Sequence, residues 1–178
     1  MIYEFLADGF EEIEAIAPCD ILRRGGKEVA LVAINGDKAV GSHGIEIKCD
    51  ITIDDVNPED IEMVILPGGM PGTTNLKNCE KLTKILNFCY KNDIYMAAIC
   101  AAPSVFGEHG YLKGKLATCF PGFEDSLMGA IVLDEPVVID ENVITSKGAG
   151  TALQFGYALL SLFDIDKATQ LHSDMQCK

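Results

Sequence analysis

Residues 94–103, IYMAAICAAP, read as a short apolar strand that ends abruptly in Cys100, passes two alanines and meets Pro103, where a helical pattern begins. A nucleophilic residue at a sharp strand-to-helix corner, flanked by small residues, has the layout of a nucleophile elbow. The backbone at such a corner is strained, and the side chain stands clear of the sheet. Ala98 and Ala102 occupy the positions where bulk would block the turn. The following helix aims its N-terminal N–H groups and its dipole at the sulfur, which favours thiolate over thiol. Cys100 is therefore the leading candidate for a reactive group, in ionised form.

Strands and helices alternate on both sides of this corner. IYEFLA (2–7) reads as a strand. A helix follows from about Phe10 to Arg24 and stops at Gly25-Gly26. KEVALVAI (27–34) is a strand, and Gly36 to Asp50 suggests a hairpin or edge strands. MVILP (63–67) is a fully apolar strand of the kind buried in parallel sheets. Residues 76–92 form an amphipathic helix with Leu82, Ile85, Leu86 and Cys89 on one face. Beyond the elbow, KLATCF (115–120) is a strand and PVVIDENVITS (136–146) a hairpin. Gly150 to Leu162 is an apolar helix, and Asp166 to Met175 a short polar one. This order implies an α/β doubly wound sandwich, a mostly parallel sheet in a single domain over 1–178. In such sheets the site lies beyond the carboxyl ends of the strands, where both Cys100 and the Gly68-Gly69 turn fall.

Bulk properties narrow the function classes. The net charge is −13, with 27 acidic and 14 basic residues, so the surface repels phosphate backbones and nucleic-acid binding is not expected. No apolar run reaches membrane-spanning length, and the N-terminus lacks the basic region of a signal peptide. The seven cysteines form no CxxC pair, which removes the zinc and thioredoxin signatures and points to reduced thiols in a cytoplasm. TSKGAGTALQFG (145–156) lacks phosphate-loop spacing. Neither a cofactor nor a metal is expected.

Placing residues 10–24 on a helical wheel puts Phe10, Ile13, Ile16, Ala17 and Ile21 on one face. Glu11 and Glu12 fall outside it as surface charges. Glu14 falls at its margin and Asp20 within it, so these two acids need partners if that face is buried. Pro18 is expected to kink the helix. A buried Glu14 near a thiol would keep its proton and hydrogen-bond a thiolate; alternatively it makes a structural bond to backbone. Gly68-Gly69 is either a tight turn or part of an oxyanion pocket built from the Gly69 N–H and the N–H of Ala101. His43, His109 and His172 are all distant from Cys100 in sequence and read as surface or capping residues.

Taken together, GFEEIEAIAPCDILRRGG (9–26), VILPGGMPGTTNL (64–76), AAICAAPSVF (97–106) and TSKGAGTALQFGYALL (145–160) resemble the ThiJ/DJ-one/PfpI superfamily. The similar branch is that of the Parkinson-associated deglycase and its bacterial relatives. The resemblance implies a flavodoxin-like three-layer sandwich and a homodimer. It implies that Cys100 matches the reactive cysteine, Glu14 its protonated partner, and Gly69 and Ala101 the backbone donors. Arg24 matches an arginine near the dimer interface, with Asp20 as a possible support. Small dicarbonyls or glycated adducts are the implied substrates, and oxidation of the cysteine to sulfinate is the implied redox behaviour. Two departures matter. Ala101 stands where protease-like members carry a histidine, which argues against peptidase chemistry. Phe120, between Cys119 and Pro121, stands where some members carry a third proton carrier, also a histidine.

Three readings follow. The first is a glyoxalase- or deglycase-like enzyme in which Cys100 attacks a carbonyl carbon and Glu14 moves the proton. The second is a redox-responsive protein whose Cys100 oxidises to sulfinate, with an interaction role and no dedicated substrate. The third is an interaction protein with an inert buried thiol.

Overall fold

The computed structural model describes residues 1–177. The first half contains β1 (Ile2–Leu6), α1 (Glu12–Arg24), β2 (Val29–Ala33), β3 (Lys38–Val40), β4 (Glu46–Lys48), β5 (Ile51–Thr52), β6 (Met63–Leu66), α2 (Gly72–Lys77) and α3 (Glu80–Lys91). The second half contains β7 (Tyr95–Ile99), α4 (Pro103–Glu108), β8 (Leu116–Ala117), β9 (Ile131–Val132), β10 (Val137–Asp140), β11 (Val143–Ser146), α5 (Ala152–Ser161) and α6 (Ile165–Asp174). Seven strands form one sheet in the order β10-β11-β7-β6-β1-β2-β5. Every pairing in it is parallel except β10 with β11.

Successive residues of a strand face opposite sides. Tyr3 and Phe5 of β1 join a core with Leu82 and Leu86 of α3 and Phe106 of α4. Ile2 and Leu6 join a second core with Ala15 and Leu22 of α1 and Phe155 of α5. The result is the three-layer α/β sandwich of the sequence reading. Strand order reverses between β1 and β6, so the loops after β1, β6 and β7 share one crevice. No described helix is long and apolar enough to cross a membrane.

Several details differ from expectation. The helix expected over 76–92 is two helices, because Asn78 closes α2 and Cys79 is extended before α3. KLATCF contributes only Leu116–Ala117 as strand. The next residues are drawn off by other partners: Thr118 donates its N–H to Thr145 Oγ1 (2.9 Å), and Phe120 donates its N–H to Cys100 O (2.8 Å).

The largest correction concerns α1. Its buried residues are Glu12, Glu14, Ala15, Pro18, Cys19, Ile21 and Leu22. Ile13 (56 %) and Ile16 (41 %) are exposed, as is the Asp20 side chain (48 %). Apolar residues lie on both sides of this helix, so the wheel alone cannot choose which side meets the sheet. The helix also runs through Pro18 as one element. Pro18 packs closely on α5: a Cβ added at Gly156 would stand 3.0 Å from Pro18 Cα and 2.7 Å from Ile21 Cδ1.

Candidate active site

β7 delivers Cys100 into a corner with φ +66°, a left-handed conformation uncommon outside glycine. The corner is over-determined by its backbone. Cys100 donates its N–H to Ser146 O of β11 (2.9 Å) and accepts at its carbonyl from Phe120. Ala102 donates back to Ile99 O (3.1 Å), and Pro103 opens α4. Ala98, Ala101 and Ala102 are all buried, so the tight turn depends on small side chains.

Three of the predicted groups converge on the sulfur. The N–H groups of Gly69 and Ala101 face it and favour its ionised form, and the Glu14 carboxyl faces it from the first turn of α1 and opposes that form. Glu14 is almost fully buried. Its Oε2 accepts the Gly68 N–H at 3.0 Å. The glycines are sterically required. A Cβ at Gly69, where φ is +88°, would stand 2.4 Å from Glu11 N.

Opposing influences set the ionisation of the pair. Burial raises the Glu14 carboxyl to about 7, against hydrogen bonds from Cys100 and Gly68 that lower it; the charge of Glu11 adds to the rise. Burial, then the charge and hydrogen bond of Glu14, push the Cys100 thiol up to about 12, against the Gly69 and Ala101 amides that pull it down. The carboxyl thus titrates near neutrality beside the sulfur, and each group raises the cost of ionising the other. A thiolate forms here by passing its proton to Glu14, after which the protonated acid no longer repels the charge.

Arg24 and Asp20 are not brought to this site. They pair with each other (Arg24 Nε to Asp20 Oδ2, 2.6 Å) on the surface. Ten helical residues separate Arg24 from Glu14, about 15 Å along the axis. Phe120, by contrast, lies beside the pair. Its Cδ2 is 3.1 Å from where a Gly148 Cβ would stand, and Glu14 Oε1 is 3.7 Å from the same point.

Sequence reasoning misplaces Glu12. It is buried and accepts the His43 N–H (2.8 Å) and His43 Nδ1 (2.9 Å) from the β3–β4 turn. Burial raises its carboxyl, but the His43 and Ile45 hydrogen bonds outweigh this and hold it at about 2. His43 is raised in turn, first by its bond to Glu12. The partner comes from a distant hairpin, which helical phase cannot show. The one local signal is Gly41, where a Cβ would stand 2.2 Å from Glu12 Oε1. With Glu11, these residues are the one described group whose ligand atoms, within 4.8 Å of one another, have metal-binding spacing.

Glu4 also escapes notice in the sequence. It sits in the middle of β1 with no exposed surface and no hydrogen-bond partner for either carboxyl oxygen. It faces the α1 side of the sheet and takes no part in the Cys100 centre.

The DJ-1/PfpI family profile matches residues 1–162. Protein DJ-1 homolog B of Arabidopsis thaliana is 36% identical over 170 residues, covering 93% of this chain and 39% of that protein. The chain thus spans about two fifths of the length of that relative. A deglycase of Pyrococcus horikoshii is 34% identical over 144 residues, 79% of this chain and 86% of that one. A glutathione-independent glyoxalase of Caenorhabditis elegans is 34% identical over 156 residues, 86% and 83% of the two chains. Among solved structures, oxidized Toxoplasma gondii DJ-1 superposes with a TM-score of 0.94 at 30% identity, covering 98% of this chain and 97% of that one. The elbow, the crevice at the strand reversal and the extent of these matches agree: the chain belongs to the DJ-1/PfpI family.

Proposed function

We propose that this protein is a cysteine-dependent enzyme acting on small dicarbonyls or their adducts. The observation that carries the reading is the contact between Glu14, raised to about 7, and the Cys100 thiol. A general base works best with a pKa near the operating pH. In the proposed step, Cys100 Sγ bonds to the aldehyde carbon, its proton passes to Glu14, and the carbonyl π electrons move to oxygen. The Gly69 and Ala101 amides, which face the sulfur, serve as donors to the developing oxyanion. Glu14 then returns its proton to that oxygen, giving a hemithioacetal. Moving the C1 proton to C2 through Glu14, while the C1 hydroxyl proton passes to the C2 oxygen, gives a 2-hydroxy thioester, and water releases the hydroxy acid and the thiol. The relatives named deglycase and glyoxalase support this substrate class. The test is lactate formation from methylglyoxal by the parent, Cys100→Ser and Glu14→Gln. A parent no faster than Cys100→Ser contradicts the reading.

A second reading has one specific observation in its favour. Cys100 is only partly buried and already faces a carboxyl able to donate a hydrogen bond to an oxidised sulfur. Peroxide treatment should then add two oxygens at Cys100 alone; oxidation spread over several cysteines argues against it.

We also propose a homodimer in a reducing cytoplasm. Ile13, Ile16, Ile45 and Leu153 form an exposed apolar face beside α1, and the implied dimer of the family would cover it. Arg24, at the far end of α1, would lie near such an interface.

A further inference from the structure

Phe120 keeps 46 % of its surface exposed, although its N–H is tied to the Cys100 carbonyl and its ring borders the Glu14 pocket. On the outer side of that ring is a cavity of about 280 Å³ walled by Phe120, Pro121, Lys147 and the turn 148–151. The cavity and the reactive pair share a partition. Gly148 carries no side chain between Glu14 Oε1 and the Phe120 ring: a Cβ there would stand 3.7 Å from the one and 3.1 Å from the other.

The polar side chains of this wall are already engaged. Thr151 Oγ1 accepts the Gly148 N–H (3.1 Å) and donates to Gly148 O (2.9 Å). Lys147 Nζ is paired with Asp134. What remains is an aromatic face, a proline ring and alanine, a surface suited to apolar groups. Its volume suffices for a ring, since an apolar cavity of about 150 Å³ already takes up benzene. The one ionisable side chain on this wall, Lys147, is paired with Asp134, so the cavity supplies binding and leaves proton transfer to Glu14.

We propose that this cavity is the substituent subsite of the Cys100 centre and selects α-oxoaldehydes, or their adducts, with an aromatic or branched apolar end. The inference rests on the dicarbonyl reading above for the identity of the reacting group. The aldehyde carbon lies at Cys100 Sγ while the substituent packs on the Phe120 ring. A methyl substituent is too small to fill the space. Gly148 keeps the passage open: a Cβ there would stand 3.1 Å from the ring.

Two assays on parent, Phe120→Ala and Phe120→Leu test this. The first compares kcat/KM for phenylglyoxal and methylglyoxal. The second compares Cys100 alkylation by N-phenyliodoacetamide and iodoacetamide, read at the Cys100 peptide by mass spectrometry. The parent should favour the phenyl compound in both, and Phe120→Ala should reduce that preference about tenfold, with Phe120→Leu between. A parent without preference, or an equal preference in Phe120→Ala, overturns the subsite. If neither aldehyde is consumed but the alkylation preference persists and falls in Phe120→Ala, the dicarbonyl reading fails and the subsite stands.

Discussion

Gly68 donates its N–H to Glu14 Oε2 at 3.0 Å, and the two are so close that a Cβ at position 68 would stand 2.6 Å from that same oxygen. It would also stand 2.6 Å from Cys100 Cβ. The glycine thus lets the acid and the thiol meet. Gly68→Ala should separate them while the sheet survives. Displacements of about 1 Å at a reacting centre cost on the order of 100-fold. Turnover of methylglyoxal should fall by about that factor, with the far-ultraviolet circular dichroism unchanged. Retained turnover would mean the pair does not need this contact.

Glu4 carries a different prediction. Burial holds its carboxyl proton well above the usual carboxylate range, and Arg23 lowers it only in part. Below about 4.5 both the folded and the unfolded chain hold the proton. As pH rises above that value, the unfolded chain releases it while the folded chain keeps it. Stability attributable to this group therefore falls with rising pH, by at most about 1.4 kcal/mol per unit. Urea unfolding at pH 5 and pH 8 should show a larger loss in the parent than in Glu4→Gln. Equal losses in the two proteins would contradict the assignment.

Glu12 opposes that trend at the acid end, and His43 follows it near neutrality. Glu12, held at about 2, contributes stability above its unfolded value near 4.5 and loses it as pH falls toward 2. His43, raised by the same contact, contributes below its unfolded value near 6.5 and loses it as pH rises through its folded value. Glu12→Gln should lower the Tm most between these limits, about pH 5 to 6, and progressively less toward pH 2. A Tm difference that does not vary with pH would show that the ion pair adds nothing beyond packing.

The exposed isoleucines of α1 bear on assembly. Ile16→Glu places a charge in the middle of the apolar face. Sedimentation should show a dimer for the parent and a monomer for this variant, with little change in the folded spectrum of each chain. A parent that sediments as a monomer at micromolar concentration would remove the interface.

The fold is readable where the signal is continuous. β1, β6 and β7 are apolar runs bounded by turn residues, and the corner at Cys100 announces itself through its alanines and Pro103. The two-residue strands β5 and β9 are too short to show any period. Of the site, Cys100, Glu14, Gly69 and Ala101 can be named from sequence because each has a local cause: a corner, a helix margin, a glycine turn. Glu12, Glu4 and the exposure of Ile13 and Ile16 cannot. Their environments are made by a hairpin, two neighbouring strands and an unpartnered surface, none of them adjacent in sequence.

The central claim is that Glu14 takes the proton from Cys100. It is tested most directly by the pH dependence of Cys100 alkylation by iodoacetamide in the parent and in Glu14→Gln. The parent rate should rise with a midpoint near 7, as Glu14 becomes a free base. In Glu14→Gln that step should disappear, with the rate at pH 7.5 lower by at least about tenfold. Superimposable profiles, or a faster reaction in Glu14→Gln at neutral pH, would contradict it.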